Sequence, residues 1–275
     1  MVINKTLKFL SRGVLSENEK FKNRHKGETC YIIGNGASLK RMDLSSFTDH
    51  ITIPLNFLCL HNDFKLLNAP YYVISAPSFL YSYRTNPYTK KFTKNHLGRA
   101  FQKSITEFPD ITLFTSLSNY FGFKMVKKIN YFHHFGCRDI DINKCDISGN
   151  FSFMKGGLHA GIGLAINMGF QKAILVGCDY IFTPVSDGHF YASGPSLISE
   201  NNNNIYESLI YETNNIMELE LITDTAESNW MRYQNYEKYS GKKLYYRENR
   251  EIVRSEYLDL LNIAYENKQY LSEIF

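Results

Sequence analysis

Cysteine is sparse in this 275-residue chain, and what there is does not pair. Cys30, Cys59, Cys137, Cys145 and Cys178 are odd in number and widely scattered, with no C-x-x-C spacing. That excludes a disulfide framework and a zinc site of the usual ligand spacing, and it points to a reducing compartment. Long apolar runs are also missing. The longest uncharged run near the middle, 156–171, is rich in glycine and too short to cross a bilayer. The apolar stretch at the start is short and broken by charge, so no secretory signal is expected and the chain reads as cytoplasmic. No D-x-D carboxylate pair accompanies Asp179, so no metal site is expected. A nucleic-acid reading motif is absent as well, and nucleic acid is not an expected partner. Tryptophan occurs once, against 20 tyrosines and 20 phenylalanines.

What remains is an ordinary globular composition, 44% hydrophobic and 21% charged, with a formal net charge of +4. The length suits one large domain with a sizeable core. Residues 1–27 carry seven Lys/Arg against Glu17 and Glu19, which reads as a solvated basic arm. Leu7, Phe9, Leu10 and Val14 interleave with those charges, so contact with the inner face of a membrane is the second reading.

Short apolar runs alternate with helical segments. Strands are predicted at 29–33, 51–55, 71–75, 111–114, 128–132, 173–176 and 219–222, and helices at 39–47, 93–108, 157–168 and 250–271. The pattern predicts an α/β fold: a single Rossmann-like domain with a mostly parallel sheet and helices on both faces. The boundaries read as a basic arm over 1–27, a nucleotide-binding domain over 28–200 and a C-terminal helical extension over 201–275. The extension is expected on one edge of the sheet, where it would also suit a homo-oligomer contact. Residues 183–204 are turn-rich enough to be a functional loop or a lid.

Two glycine-rich segments carry the candidate chemistry. The strand Tyr31-Ile32-Ile33 breaks into Gly34-Asn35-Gly36, followed by Ser38, and glycine lets backbone N–H groups approach an anion. An ordinary strand-to-helix turn is the competing reading. Gly156 and Gly157 open a small-residue helix that leads through Gly169 into the strand ending at Gly177-Cys178-Asp179-Tyr180. Ligands bind beyond the carboxyl ends of strands in open α/β sheets, which places Asp179, Tyr180, Asn56 and Ser75 near one cleft. Asp179 reads first as a structural anchor, and Asn56 and Ser75 read equally well as caps. His189, in Asp187-Gly188-His189-Phe190-Tyr191, is the only histidine after Asp179 and a candidate general base. A loop histidine without a role is the alternative. His133 and His134 follow a strand, and His159 reads as a packed histidine.

Ile33-Gly34-Asn35-Gly36-Ala37-Ser38-Leu39-Lys40, taken with Gly169 to Tyr180, resembles the bacterial family-42 sialyltransferases. Residues 24–28 and 189–191 also resemble a broader group, the family called domain of unknown function 115, which includes archaeal 6-hydroxymethylpterin pyrophosphokinases. The resemblance spans about residues 24–195. It implies a GT-A-type nucleotide-binding domain and metal-independent inverting transfer from a CMP-linked acidic sugar, with no cofactor besides the nucleotide-sugar donor. Asn35, Ser38 and Asn56 fall on donor-contacting positions of that family. The family's third-strand asparagine falls near Ala76, its Thr-Ser pair is replaced by Gly156-Gly157, and its base histidine lies further from the G-x-D strand than His189 does.

The reading that results is a glycosyltransferase acting on a glycan or lipid-linked glycan. His189 would serve as base, Tyr180 or Tyr191 would contact the leaving phosphate, and Gly34, Asn35, Gly36, Ser38, Asn56, Ser75, Gly156, Gly157 and Asp179 would form the donor site. A pyrophosphokinase using ATP and Mg²⁺, and a non-catalytic nucleotide-binding accessory protein of polysaccharide assembly, are the alternatives.

Overall fold

The computed structural model describes residues 9–85, 92–122, 124–133, 145–149, 151–152, 156–194, 197–199, 204–259 and 261. Its strands are β1 (Thr29–Ile33), β2 (Ile51–Pro54), β3 (Tyr71–Ile74), β4 (Tyr83–Thr85), β5 (Phe92–Lys94), β6 (Thr112–Ser116), β7 (Ile129–Phe132), β8 (Lys172–Val176), β9 (Val185–Asp187), β10 (Leu197–Ser199), β11 (Glu218–Thr223) and β12 (Tyr233–Asn235). The α-helices used below are α1 (Arg12–Ser16), α2 (His96–Ile105), α3 (Gly157–Met168), α4 (Asn204–Thr213), α5 (Tyr236–Ser240) and α6 (Asn249–Ile252).

Five strands pair in the order β12-β11-β8-β1-β2 and three in the order β3-β6-β7, every pair parallel. A parallel bridge between Leu55 and Val73 joins β2 to β3, so the eight strands continue as one parallel surface. β4–β5 and β9–β10 are separate antiparallel hairpins. The fold is the expected α/β class.

The central strands are apolar at every position because both faces are covered. In β1, Cys30 and Ile32 join the core under α3 and α4, while Tyr31 and Ile33 join the core under α2 and the C-terminal segments. Helix α3 lies very close to the sheet. A Cβ at Gly161 would stand 2.9 Å from Leu55 and 3.2 Å from Ile32. The helix ends at Gly169, in the left-handed region at φ 82°, whose N–H reaches the carbonyls of Ala165 and Ile166. No described helix is long and apolar enough to cross a membrane.

Four expectations are corrected. The basic segment over 1–27 is not a solvated arm where it is described. Leu15, Asn18 and Phe21 are buried, and Asn18 donates to the carbonyls of Tyr131 and Ile147. The N–H groups of Asn23, His25 and Gly27 cap the last carbonyls of α3 at Asn167, Met168 and Gly169, where helix ends need outside partners. The predicted helix over 39–47 is two 3-10 turns, Ala37–Lys40 and Leu44–Ser46. Ser38 is drawn to Asp179, and Asp43 starts a new turn by accepting from Ser45 N–H. Residues 201–275 are not simply helical: β11 stands at the strand expected over 219–222, β12 adds another, and the two complete the sheet. The predicted helix over 250–271 is interrupted at Val253, which bridges to His61. Helix resumes at 255, and the stretch beyond 261 falls outside the described residues.

Candidate functional site

From β1 the chain steps outward through β2, β3, β6 and β7 on one side, and from β8 through β11 and β12 on the other. The strand order therefore reverses between β1 and β8, and such a switch point opens a crevice at the carboxyl edge. A pocket with about 90 Å³ of free space lies there, room for several waters. It is lined by Gly34, Asn35, Gly36, Asn56, Gly157, Tyr180, His189 and Tyr206, with Leu55, Leu158, Gly177 and Cys178 completing the wall.

Helix α3 presents its first turn to this pocket through Gly157 and Leu158. Its N-cap, Gly156, has no side chain with which to cap it, so its leading N–H groups and the positive end of the helix dipole suit an anion. Asn56, at φ 52°, sits against the same turn, where a Cβ at Gly157 would stand 2.6 Å from its Nδ2. Gly156 has extended backbone and open space at its Cβ, with the Tyr206 hydroxyl 3.8 Å away.

His189 enters on the segment after β9. Gly36 and His189 form an antiparallel bridge, and Phe190 N–H donates to Asn35 O at 3.0 Å. The imidazole lies 4.9 Å from the Tyr191 ring and 6.3 Å from the Tyr180 ring, centroid to centroid. The three residues assigned to catalysis are thus neighbours, but not equivalent. Tyr180 lines the pocket. Tyr191 is buried behind His189 against Phe57, so it supports the imidazole and does not face a ligand.

Residues 190–194 of the turn-rich stretch are fastened to the body of the fold. The Lys40 ammonium, almost fully buried, donates to Ala192 O at 2.7 Å and Gly194 O at 2.5 Å. Burial lowers its pKa, and Glu248 partly opposes this. Asn249 Nδ2 donates to Tyr191 O at 3.1 Å.

The glycine turn serves packing. Gly34 N–H donates to Val176 O and Gly36 N–H to Gly177 O, both at 2.8 Å, so neither is free for a phosphate. A Cβ at Gly34 would stand 2.4 Å from Gly177 O, and one at Gly36 2.1–2.6 Å from the Asp179 carboxylate. Asp179 is 1% exposed. It accepts from Ser38 Oγ at 2.6 Å and from Ser38 N–H at 2.7 Å. Burial pushes its pKa up to about 7 against the pull of those two hydrogen bonds. Asp179 and Ser38 therefore anchor the turn from behind, and the donor contacts assigned to them are corrected. Asn35 is likewise engaged, its Nδ2 on Leu55 O at 2.6 Å and its Oδ1 on Phe57 N–H at 2.9 Å.

Ser75 follows β3 at the same edge but is not among the pocket residues. His133 follows β7, an edge strand remote from β1; His134 falls outside the described residues. His159 is buried against Tyr206, ring centroids 5.1 Å apart. Tyr206 is the pocket residue that sequence reasoning missed. It arrives on α4, and no local motif marks it. Cys178 reaches the wall with its thiol pushed up to about 12 by burial, an inert group. Among the described residues no group of three or more His, Cys, Asp or Glu is placed to hold a metal ion.

No protein-family model matches the chain, and no curated protein matches it. Among solved structures it is similar to the MAf glycosyltransferase from Magnetospirillum magneticum AMB-1, at 10% identity and a TM-score of 0.45 over 94% of this chain. The chain spans 41% of the length of that protein.

Proposed function

We propose that the protein is a glycosyltransferase using a nucleotide-activated sugar, and that its donor is a CMP-linked acidic sugar. One observation carries the reading. A switch-point pocket holds an uncapped helix N-terminus and a histidine between two tyrosines, which are an anion site and a candidate base in one cleft. The donor phosphate would sit at the first turn of α3. His189 would take the proton of an acceptor hydroxyl as its oxygen attacks the anomeric carbon, and the bond from that carbon to the phosphate oxygen would break with inversion. Tyr180 and Tyr206, which both line the pocket, would donate hydrogen bonds to the departing phosphate and offset its charge. The acceptor would be a surface or lipid-linked glycan, met in the cytoplasm.

A thermal-shift series with CMP, UDP, GDP and ATP, each with and without Mg²⁺, tests the site. A ligand at 100 times its dissociation constant stabilises by about 2.7 kcal/mol, roughly 5 °C for a chain of this size. CMP should give the largest shift, and EDTA should leave it unchanged. His189→Ala should keep that shift and lower transfer at least a hundredfold, within the usual range for loss of a general base, about 10²–10⁴. A shift with ATP and Mg²⁺ alone would move the reading to a phosphoryl or pyrophosphoryl transferase. Transfer within a few-fold of the parent would remove His189 from the mechanism.

A further inference from the structure

The charges of this chain are unevenly distributed. Residues 64–138 contain eleven Lys/Arg and two acids, Glu107 and Asp110, whereas the other 200 residues carry 20 Lys/Arg and 25 acids. Both acids of the basic stretch are paired, Glu107 with Arg254 and Asp110 with Lys128. Within the same stretch stand large apolar side chains in water. Phe121 is 86% exposed, Phe92 73%, and Tyr83 and Met125 are close to half exposed. Lys94, on β5 beside Phe92, and Lys124 and Lys127, in the segment that carries Phe121 and Met125, are exposed as well.

These side chains are held on a rigid mount. The Tyr83 and Phe92 rings stack across the β4–β5 hairpin with centroids 6.1 Å apart. Asn95 Nδ2 donates to Phe79 O and Tyr81 O, tying the hairpin base to the start of α2. Asn119 accepts from Leu80 N–H and donates to Ala76 O. Gly122 lies so close to Leu80 that a Cβ would stand 2.9 Å from its backbone. Phe121 and the hairpin are therefore joined through residues 76–82, beyond the carboxyl ends of β3 and β6, on the edge that carries the pocket.

From this arrangement we propose that strands β4 and β5, with residues 120–122 and 124–127, form a docking surface for an anionic lipid bilayer. The exposed phenylalanines and methionine suit the acyl boundary, and the lysines of the same segments suit lipid phosphates. A nucleic acid would also match the charge. Apolar side chains without polar tips, spread over two separate segments, favour lipid. The proposal does not depend on the transferase reading, because vesicle binding is measured without turnover.

The test is co-sedimentation of the full chain with phosphatidylcholine vesicles, with and without phosphatidylglycerol. One basic side chain at an anionic surface is worth about fivefold in partitioning. The anionic vesicles should therefore bind the chain at least tenfold more strongly. Raising salt from about 0.1 M to about 1 M shortens the screening length from about 10 Å to about 3 Å and should release it. The pair Lys94→Glu with Lys124→Glu, and separately Phe92→Ser with Phe121→Ser, should each lower partitioning at least tenfold without moving the melting temperature, since the sites are exposed. Equal binding to both vesicle types, or parental binding by either pair, would overturn the proposal. So would loss of binding in Phe9→Ser with Leu10→Ser alone, which would return the contact to the N-terminal segment. A single-stranded oligonucleotide bound through the same residues, with vesicles ignored, would overturn it in favour of nucleic acid.

Discussion

Placing one methyl group at Gly36 decides what the glycine turn is for. In Gly36→Ala the new Cβ would fall 2.1–2.6 Å from three atoms of the Asp179 carboxyl group, well inside contact distance. A flexible surface carboxylate would swing away at little cost, but this one is buried and held twice by Ser38. Moving it loosens two charge-assisted hydrogen bonds, worth about 1.5–3 kcal/mol each, and the overpacking itself costs about 1–3 kcal/mol. The expected loss is on the order of 4–9 kcal/mol, a large part of the 5–15 kcal/mol typical of a folded domain. Urea unfolding of Gly36→Ala, Asp179→Ala and the double variant closes the cycle. Removing the carboxylate makes room for the methyl group, so the double variant should lose less than the sum of the singles, by about 1–3 kcal/mol. If Gly36→Ala unfolds within about 0.5 kcal/mol of the parent, or the losses simply add, the packing account is wrong. The turn would then be free to serve a ligand.

Asp179 also predicts a pH dependence. Its pKa is raised by burial from 3.8 to about 7, so its contribution to stability is fully present below pH 3.8 and lost as pH rises through about 7. The unfolding free energy of the parent relative to Asp179→Asn should fall by roughly 2–3 kcal/mol between about pH 5 and pH 8; a flat or rising difference contradicts the burial account. The difference is the quantity to measure, because burial pushes His61 down to about 4 and its contribution is lost in the opposite direction, as pH falls. Lys40→Met keeps the buried stem but removes the ammonium from the carbonyls of Ala192 and Gly194. Exchange of the Phe190 amide, bonded to Asn35 O, should accelerate at least tenfold by hydrogen-exchange mass spectrometry, and unchanged protection would show that Lys40 does not hold the segment.

The legible parts of this fold are those written in short local patterns. β1, β8 and α3 stand where the sequence places them, because an apolar run buried on both faces and a helix closed by Gly169 are each specified within a few residues. The edge of the sheet is harder to read. β12 is Tyr-Gln-Asn, three residues with no apolar signature, and it is a strand because Leu221 to Thr223 lie beside it. The failed helix over 39–47 has a long-range cause, since Ser38 answers to Asp179, 141 residues away. For the site, the sequence places residues at a strand's end and so on the correct edge of the sheet. Which way each side chain turns is decided by partners that local pattern does not contain. That is why Asn56, Tyr180 and His189 reach the pocket, while Ser38 and Asp179 meet each other behind it.

Turned that way, the side chains divide the pocket's work. The β1 turn, the β8 exit and the His189 segment are fastened to one another by Gly36 N–H on Gly177 O, by Phe190 N–H on Asn35 O, and by Ser38 on Asp179. These contacts consume the turn's glycine N–H groups and most of its polar side chains. What is left to act on a ligand comes from outside the glycine motif: the first turn of α3, the Asn56 amide, and the Tyr180, His189 and Tyr206 rings. A motif that looks built to grip a phosphate is here the frame that holds the histidine in place. In the proposed reading charge recognition would fall instead to the start of α3, where Gly157 admits the Asn56 amide because it has no Cβ.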